Sequence, residues 1–465
     1  MDEGYNGKSV LVAGAARSGI AAARFLLGRG ARVILSEAKG REALEPDVSG
    51  LLEFASSAPG ELVLELGGNK SESFAAVDLV VVSPGMPLSL PFFAISRKTG
   101  IPVIAEVELA WRHLKGKIVG ITGSNGKTTT TTLVAELLSG AGMRAHAAGN
   151  IGPPLVGFVQ QSTPDDVYVV ELSSFQLESI CGFRPFCATI LNLTPDHLDR
   201  YPGFEDYIAA KARIFMNQRS GDFAVLNADD AHTAALANDV RAQVLLFSRT
   251  REVAAGAFVR DDKVILRDGQ GERVLFPTDA VQLKGGHNLE NVLAASLLAL
   301  AAGAQPERLE AGVRKFRGVE HRIEYVAEID GVAYYNDSKA TNVEATAKSL
   351  EAFPGGIHLI AGGRDKAGDF TVLRPLVRER VKQLILIGEA ADKLRAALSG
   401  ATEIRDAASL SEAVSLAHAA SKPGDVVLLA PACASFDMFD DYEHRGRVFK
   451  EAVEAVEAVH ASTGR

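Results

Sequence analysis

The sequence predicts an α/β chain of three domains: Rossmann-like over 1–105, a central P-loop ATPase domain with a mostly parallel sheet over 106–318, and Rossmann-like again over 319–465. Three observations predict it. Short, continuously apolar runs alternate with helix-patterned segments, as in parallel sheets covered by helices. The stretch Ile118–Leu138, IVGITGSNGKTTTTTLVAELL, reads as strand, Gly-rich turn, Lys-Thr and helix. The strand–helix alternation breaks at a hairpin region and resumes after a second hairpin turn at Asp330-Gly331.

Bulk properties narrow the class. A chain of 465 residues, 47% hydrophobic and 23% charged, can bury sizeable cores and suits about three domains. Net charge −9 and the absence of a Lys/Arg-rich block argue against nucleic acid as a partner. Cys181, Cys187 and Cys433 lack disulfide or metal-site spacing, as expected in a reducing cytoplasm. The opening MDEGYNGKSV has no signal-peptide core, and no apolar run reaches spanning length. The expectation is a soluble cytoplasmic protein without a membrane partner.

In the first domain, Ser9–Ala13 is a short strand running into Gly14-Ala15-Ala16-Arg17-Ser18-Gly19 and the helical Ile20–Leu27. Ala31–Leu35 makes a second strand with Glu37 just beyond it, and Asp78–Val82 a third that ends in Ser83-Pro84-Gly85. Part of a nucleotide could lie over Gly14–Gly19, with Glu37 near a ribose or base. Ala16 stands where the dinucleotide fingerprint has its middle glycine. From this segment alone a dehydrogenase and a ligand-free tight turn both stay open.

The central domain carries most of the chemistry. Glycines let N–H groups converge on a polyphosphate, and a helix N-terminus adds favourable partial charge. Lys127 would reach the β- and γ-phosphates, and the Thr128 hydroxyl would ligate Mg²⁺. Ile121 replaces the first glycine of the generic P-loop pattern. Val167–Leu172, Ala188–Leu193 and Phe223–Asn227 read as further buried strands. Glu171 is either a Mg²⁺ ligand beside Thr128 or a capping or surface carboxylate. His197, in the loop Asn192–Asp199, is either a second metal ligand or loop scaffold. In the helix predicted over Phe204–Asn217, Lys211 falls within the apolar stripe of Phe204, Tyr207, Ile208, Ile214 and Phe215. Such an ammonium must be paired, snorkel past the helix edge, or be chemically changed, for instance to a carbamate. Periodicity does not choose. A hairpin, Gly256–Val259 and Val264–Arg267 about Asp261-Asp262, and a helix Asn288–Ala301 complete this part.

In the last domain, strands at His358–Ala361, Leu384–Ile387 and Val426–Leu429 alternate with helices at Val343–Leu350, Ala390–Leu398 and Leu410–Ala419, a second doubly wound unit.

Four motifs together resemble the Mur ligase family: Gly123–Thr128, Glu171-Leu-Ser-Ser-Phe-Gln, Asn192-Leu-Thr-Pro-Asp-His197 and Gly286-His287-Asn288. His321-Arg322, Asn336-Asp-Ser-Lys-Ala-Thr-Asn342 and Pro431-Ala-Cys-Ala-Ser-Phe-Asp437 narrow the resemblance to its D-glutamate-adding branch. The likeness runs in order along essentially the whole chain.

The resemblance implies ATP held by Gly123, Ser124, Asn125, Gly126, Lys127, Thr128 and Thr129. It implies Asn288 at the adenine, Asp337 at the ribose and Arg322 at the phosphates. Two Mg²⁺ ions are implied, one on Thr128 and Glu171, the other on His197 and a CO₂-derived carbamate of Lys211. Lys127, Glu171, His197, Lys211 and Arg322 form the implied catalytic set. Lys339, Thr341, Lys366, Ser435, Phe436 and Tyr442 would surround D-glutamate; Tyr442 stands where some members carry Phe. Arg17, Ser18, Glu37, Lys39 and Gly85 match the uridine-diphosphate region, while Asn150, Ser173 and His197 would serve the rest of UDP-MurNAc-L-Ala. The implied enzyme is a monomer that activates a carboxylate as an acyl phosphate for amide formation in peptidoglycan precursor synthesis. A folylpolyglutamate-synthase-like ligase, a dehydrogenase and a non-catalytic ATP-binding scaffold are the rival readings.

Overall fold

The structure is a computed structural model and describes residues 4–195, 200–283, 285–365 and 368–463. His197 and Lys366 lie outside the described residues. The described residues build three sheets, and packing divides the chain into two compact units, Met1–Phe316 and Arg317–Arg465.

Ser9–Ala13 is central in the first sheet, with Val10–Ala13 wholly buried, which explains its unbroken apolar run. Arg32–Glu37 and then Glu61–Leu66 lie on one side, Leu79–Val82 and then Val103–Ala105 on the other, all parallel. The two outermost strands escape the sequence reading because one is half exposed and the other is three residues long. Glu37 is the last residue of its strand, paired with Leu66, and so lies inside the sheet margin, not just beyond it.

In the second sheet the P-loop strand Lys117–Thr122 lies between Cys187–Ile190 and Asp166–Glu171. Phe223–Asn227, Gln243–Ser248 and Gly256–Arg260 extend it on one side and Arg144–Gly149 on the other, all parallel. The hairpin about Asp261-Asp262 then adds Lys263–Asp268 antiparallel, followed by an unforeseen strand, Gly271–Pro277. The first four residues of that strand face largely outward, so its sequence carries no core signal. The helix predicted to reach Asn217 ends at Ala212 and tightens into the turn Arg213–Phe215. There the Arg213 guanidinium donates to Leu177 O and Ile180 O.

These two sheets share one apolar core. Phe25 and Leu26 of the first domain join Leu155, Val156 and Val159 of the second within it. The short helix Glu106–Trp111 reinforces the junction. Glu108 accepts N–H bonds from Cys181, Gly182 and Phe183, and Glu106 accepts one from Val156 at 2.7 Å.

The second unit folds about the order Glu324–Ile329, Val332–Asn336, Val426–Leu429, Ile357–Gly362, Val381–Ile387, Glu403–Asp406. Among the described strands of this sheet, the pair joined at the Asp330-Gly331 hairpin is antiparallel and the other neighbours are parallel. Leu359, Leu384, Leu386 and Leu428 face one helical layer; Ile360, Ile385, Ile387 and Leu429 face the other. No described helix is long and apolar enough to cross a membrane.

Candidate active site

The P-loop is built from local conformation outward. Strand Lys117–Thr122 ends in the turn, and helix Lys127–Gly140 begins after Gly126, whose φ of 82° is left-handed. A Cβ there would meet Asn291 Oδ1 at 2.2 Å, so only glycine fits. Asn291, from helix Gly286–Ala302, is a contact that no sequence pattern marks; it donates to Asn288 Oδ1 at 3.2 Å and so places Asn288 beside the loop. The rest of the turn is fastened to the neighbouring strand end. Ser124 N–H donates to Asn192 O at 3.0 Å and Asn125 N–H to Asn192 Oδ1 at 2.8 Å. Ser124 Oγ also bonds to Thr194 and lies 3.2 Å from the Tyr207 hydroxyl.

Lys127 Nζ donates to Gly123 O and Ser124 O, so its ammonium lies over the turn. Thr129 continues the helix, half-buried. Thr128 donates its hydroxyl to Glu171 Oε2 at 2.9 Å, with Thr128 5% and Glu171 2% exposed. Asn150 donates to the other oxygen, Oε1, at 2.8 Å. Glu171 therefore has two neutral donors and, among the described residues, no cation at ion-pair distance. Hard oxygens at the foot of a P-loop, one of them anionic and buried, fit Mg²⁺ shared with phosphates. Among the described residues no group of three or more His, Cys, Asp or Glu gathers elsewhere as a metal cage.

Lys211 is as buried as Glu171. Its Nζ donates to Gly123 O at 2.9 Å and Thr122 Oγ1 at 3.4 Å, and lies 4.6 Å from the Tyr207 ring centroid. It faces the base of the P-loop and does not snorkel outward. Ser173 and Gln176 form a capping box at the start of helix Ser174–Glu178, so this part of the motif shapes the turn after Glu171.

At the first sheet, Arg17 and Ser18 open helix Arg17–Gly28, near the strand ends that carry Glu37 and Ser83-Pro84-Gly85. Glu37 takes Ala15 N–H on one oxygen at 2.9 Å and Lys39 N–H on the other at 3.1 Å. Arg200, which carries no signal in the sequence, ties the domains at this point. It donates to Pro84 O and Met86 O at 3.3 Å, pairs with Glu178 at 3.2 Å and covers the Phe175 ring.

In the second unit the predicted residues collect where strands Val332–Asn336, Val426–Leu429 and Ile357–Gly362 end. Asp337 accepts from Ser349, and burial raises its pKa. Arg322 stands between His321 and Ile323, both left-handed at φ 62° and 44°. Asn336 donates to His321 Nδ1 and Glu324 Oε2, and Lys339 N–H to His321 O, which holds this arch. The loop of Ser435 is locked to its neighbours: Ala432 N–H donates to Ala340 O, and Arg364 and Ala434 exchange backbone bonds. Thr341 N–H donates to Lys339 O. Ser435 is buried and Phe436 exposed, while Tyr442 opens the last helix with its carbonyl accepting from Ser338 Oγ.

A P-loop over a buried hydroxyl–carboxylate pair defines a nucleotide-dependent, divalent-cation-using class of enzyme. Comparison with known proteins is more specific. Residues 8–105 match the Mur ligase MurD-like N-terminal domain, 121–299 the Mur ligase middle domain, and 321–433 the Mur ligase glutamate ligase domain. The chain is 51% identical over 447 residues to the UDP-N-acetylmuramoylalanine–D-glutamate ligase of Koribacter versatilis, covering 96% of this chain and 97% of the relative. It is 51% identical to the enzyme of that name from Acidobacterium capsulatum, covering 96% of each. Among solved structures, a pseudomurein peptide ligase type C from Methanothermus fervidus shares the fold at TM-score 0.53 and 19% identity, covering 97% of this chain and all of that one. The chain belongs to the Mur ligase family.

Proposed function

We propose that this protein joins D-glutamate to UDP-N-acetylmuramoyl-L-alanine, using ATP, in the cytoplasmic synthesis of peptidoglycan precursors, and that it works as a monomer. The observation that carries the reading is the buried Thr128–Glu171 pair beneath the P-loop, in a chain half identical to ligases of that name over nearly its full length. Residues 1–105 would hold the uridine nucleotide through Arg17, Ser18, Glu37, Lys39 and Gly85; 106–318 would hold ATP; 319–465 would hold the amino acid.

In this reading the L-alanine carboxylate attacks the γ-phosphorus, ADP leaves, and an acyl phosphate forms. The D-glutamate amine then attacks the acyl carbon, and phosphate leaves with the former carboxylate oxygen. Mg²⁺, when bound at Thr128 and Glu171, would neutralise charge on the phosphates. Lys127 spreads the charge of the transferring phosphoryl group, and Arg322 is proposed for the same role. The N-terminus of helix Lys127–Gly140 would orient the polyphosphate, and Asn150 keeps the Glu171 carboxylate aimed at Thr128. His197, and Lys211 as a carbamate, are proposed for a second ion. Lys339, Thr341, Lys366, Ser435, Phe436 and Tyr442 are proposed for the D-glutamate pocket.

Phosphate release with UDP-MurNAc-L-Ala and ATP, across a panel of amino acids, tests the reading. D-Glutamate alone should support release. No release with D-glutamate, or equal release with L-lysine or D-Ala-D-Ala, would overturn it. A dehydrogenase would change NAD(P)H absorbance on turnover; that absorbance should stay constant here.

A further inference from the structure

Arg445 is the largest of the fully buried side chains, with no exposed surface. Its fork reaches two loops. Nε donates to Ser338 Oγ at 2.9 Å, Nη2 to Ser338 O at 2.8 Å, and Nη1 to Cys433 O at 3.1 Å. Among the described residues no carboxylate contacts it. Asp437 acts on it only from beyond contact, and one oxygen of that carboxylate is taken by Glu389 N–H. Burial pulls the guanidinium down to about 10, so it stays charged at neutral pH.

A buried cation without an ion-pair partner is costly. Its placement shows what it secures. Ser338 lies between Asp337 and Lys339, and Cys433 lies two residues before Ser435. Burial pushes the Cys433 thiol up to about 12, which leaves its carbonyl as the group in use. Ala432, next to it, is held left-handed at φ 59° with its N–H on Ala340 O. Ser338 in turn donates to Tyr442 O at 2.7 Å, which closes the circuit back to the helix that carries Arg445.

We propose that Arg445 is a positioning residue for amino-acid binding: it clamps the Ser338–Lys339 and Cys433–Ser435 loops in register and places a fixed positive charge beneath them for an anionic amino acid bearing two carboxylates. The inference rests on assigning Lys339, Thr341 and Ser435 to the D-glutamate pocket. The guanidinium does not touch the substrate; it acts through the two loops and through its field. Arg is suited to this because one planar group satisfies acceptors on both loops at once.

The test uses the full chain with Arg445→Met and Arg445→Lys, measuring KM for D-glutamate, ATP and UDP-MurNAc-L-Ala, with thermal melts alongside. Arg445→Met should raise the D-glutamate KM by on the order of tenfold or more while the other two stay near wild type. Arg445→Lys, which keeps the charge and loses the fork, should fall between. If Arg445→Met does not fold, Ser338→Ala carries the test, because it removes one acceptor and leaves the charge; its D-glutamate KM should rise alone. Folded variants in which all three KM values hold, or change together, would overturn the proposal. Thr341→Ala and Ser435→Ala separate the two levels. If they raise the D-glutamate KM and the Arg445 variants do not, Arg445 is structural; if neither set does, the pocket itself is misassigned.

Discussion

Glu171 shows how one side chain can imply a missing partner. It is nearly sealed from solvent, and its described partners, the Thr128 hydroxyl and the Asn150 amide, are neutral. A buried carboxylate of this kind is favourable when a cation completes its surroundings. Glu171→Gln should therefore keep the fold and raise the Mg²⁺ concentration for half-maximal phosphate release by on the order of tenfold or more. An unchanged Mg²⁺ titration would exclude it as a ligand. Lys211 presents the complementary case, an amine held against Gly123 O at the base of the P-loop. In its deprotonated form it can add CO₂, forming an N–C bond and releasing one N–H proton to solvent, which leaves an anionic carbamate. Activity should fall in CO₂-depleted buffer and return with bicarbonate, and Lys211→Ala should respond to neither. A ¹³C-bicarbonate-labelled wild type lacking any carbamate resonance would refute the modification. Both residues are visible in the sequence, one at a strand end and one out of place in an apolar stripe. Asn291, Arg200 and Arg445 are not, because their partners lie far away in the chain and no local pattern marks them.

Elements that are buried on both faces are legible almost to the residue: Ser9–Ala13, Phe223–Asn227 and Val426–Leu429. A short run of unbroken apolarity fits little besides a strand covered on both sides. Arg144–Gly149 and Glu403–Asp406 are not legible, since edge strands are half solvated and their composition resembles a loop. The helix Glu106–Trp111 is equally hidden in the sequence, and it carries a titration. Burial raises the Glu106 pKa from an ordinary 4.5 to about 7. Below the lower value both native and unfolded forms are protonated, and the contribution is fully present. As pH rises through the folded pKa, the unfolded carboxyl has already ionised, and about 3 kcal/mol is lost. Glu106→Gln keeps an acceptor for Val156 N–H and removes the titration. The melting midpoint of wild type minus variant should thus fall between about pH 5 and about pH 8. A difference that is flat across that range would show Glu106 to be ionised throughout, or solvated on opening of the junction.

At the scale of the whole molecule the first two sheets cannot be treated as separate bodies. Phe25, Leu155 and Val159 share a core, and Glu108 stitches the junction with backbone bonds. Three sheets are legible in the sequence because each begins a fresh strand–helix alternation. The union of two of them is not, since the apolar faces that meet there look like any helix face bound for a core. Arg317–Arg465 differs. Its sheet carries a complete apolar layer on each face: Leu350, Val377 and Leu394 from helices on one side, Val414, Phe449 and Val453 on the other. A unit of that size with two covered faces meets the requirements for independent folding. Expressed alone, residues 317–465 should give a single cooperative thermal transition with native near-UV signal. Residues 1–105 alone lack Leu155, Val156 and Val159 against helix Arg17–Gly28 and should melt broadly or aggregate. Neither piece should release phosphate from ATP, because the P-loop is in neither. A non-cooperative 317–465 fragment would mean that its two layers need further support from the first unit. A sharply melting 1–105 fragment would mean that the shared core adds little to the stability of the first sheet.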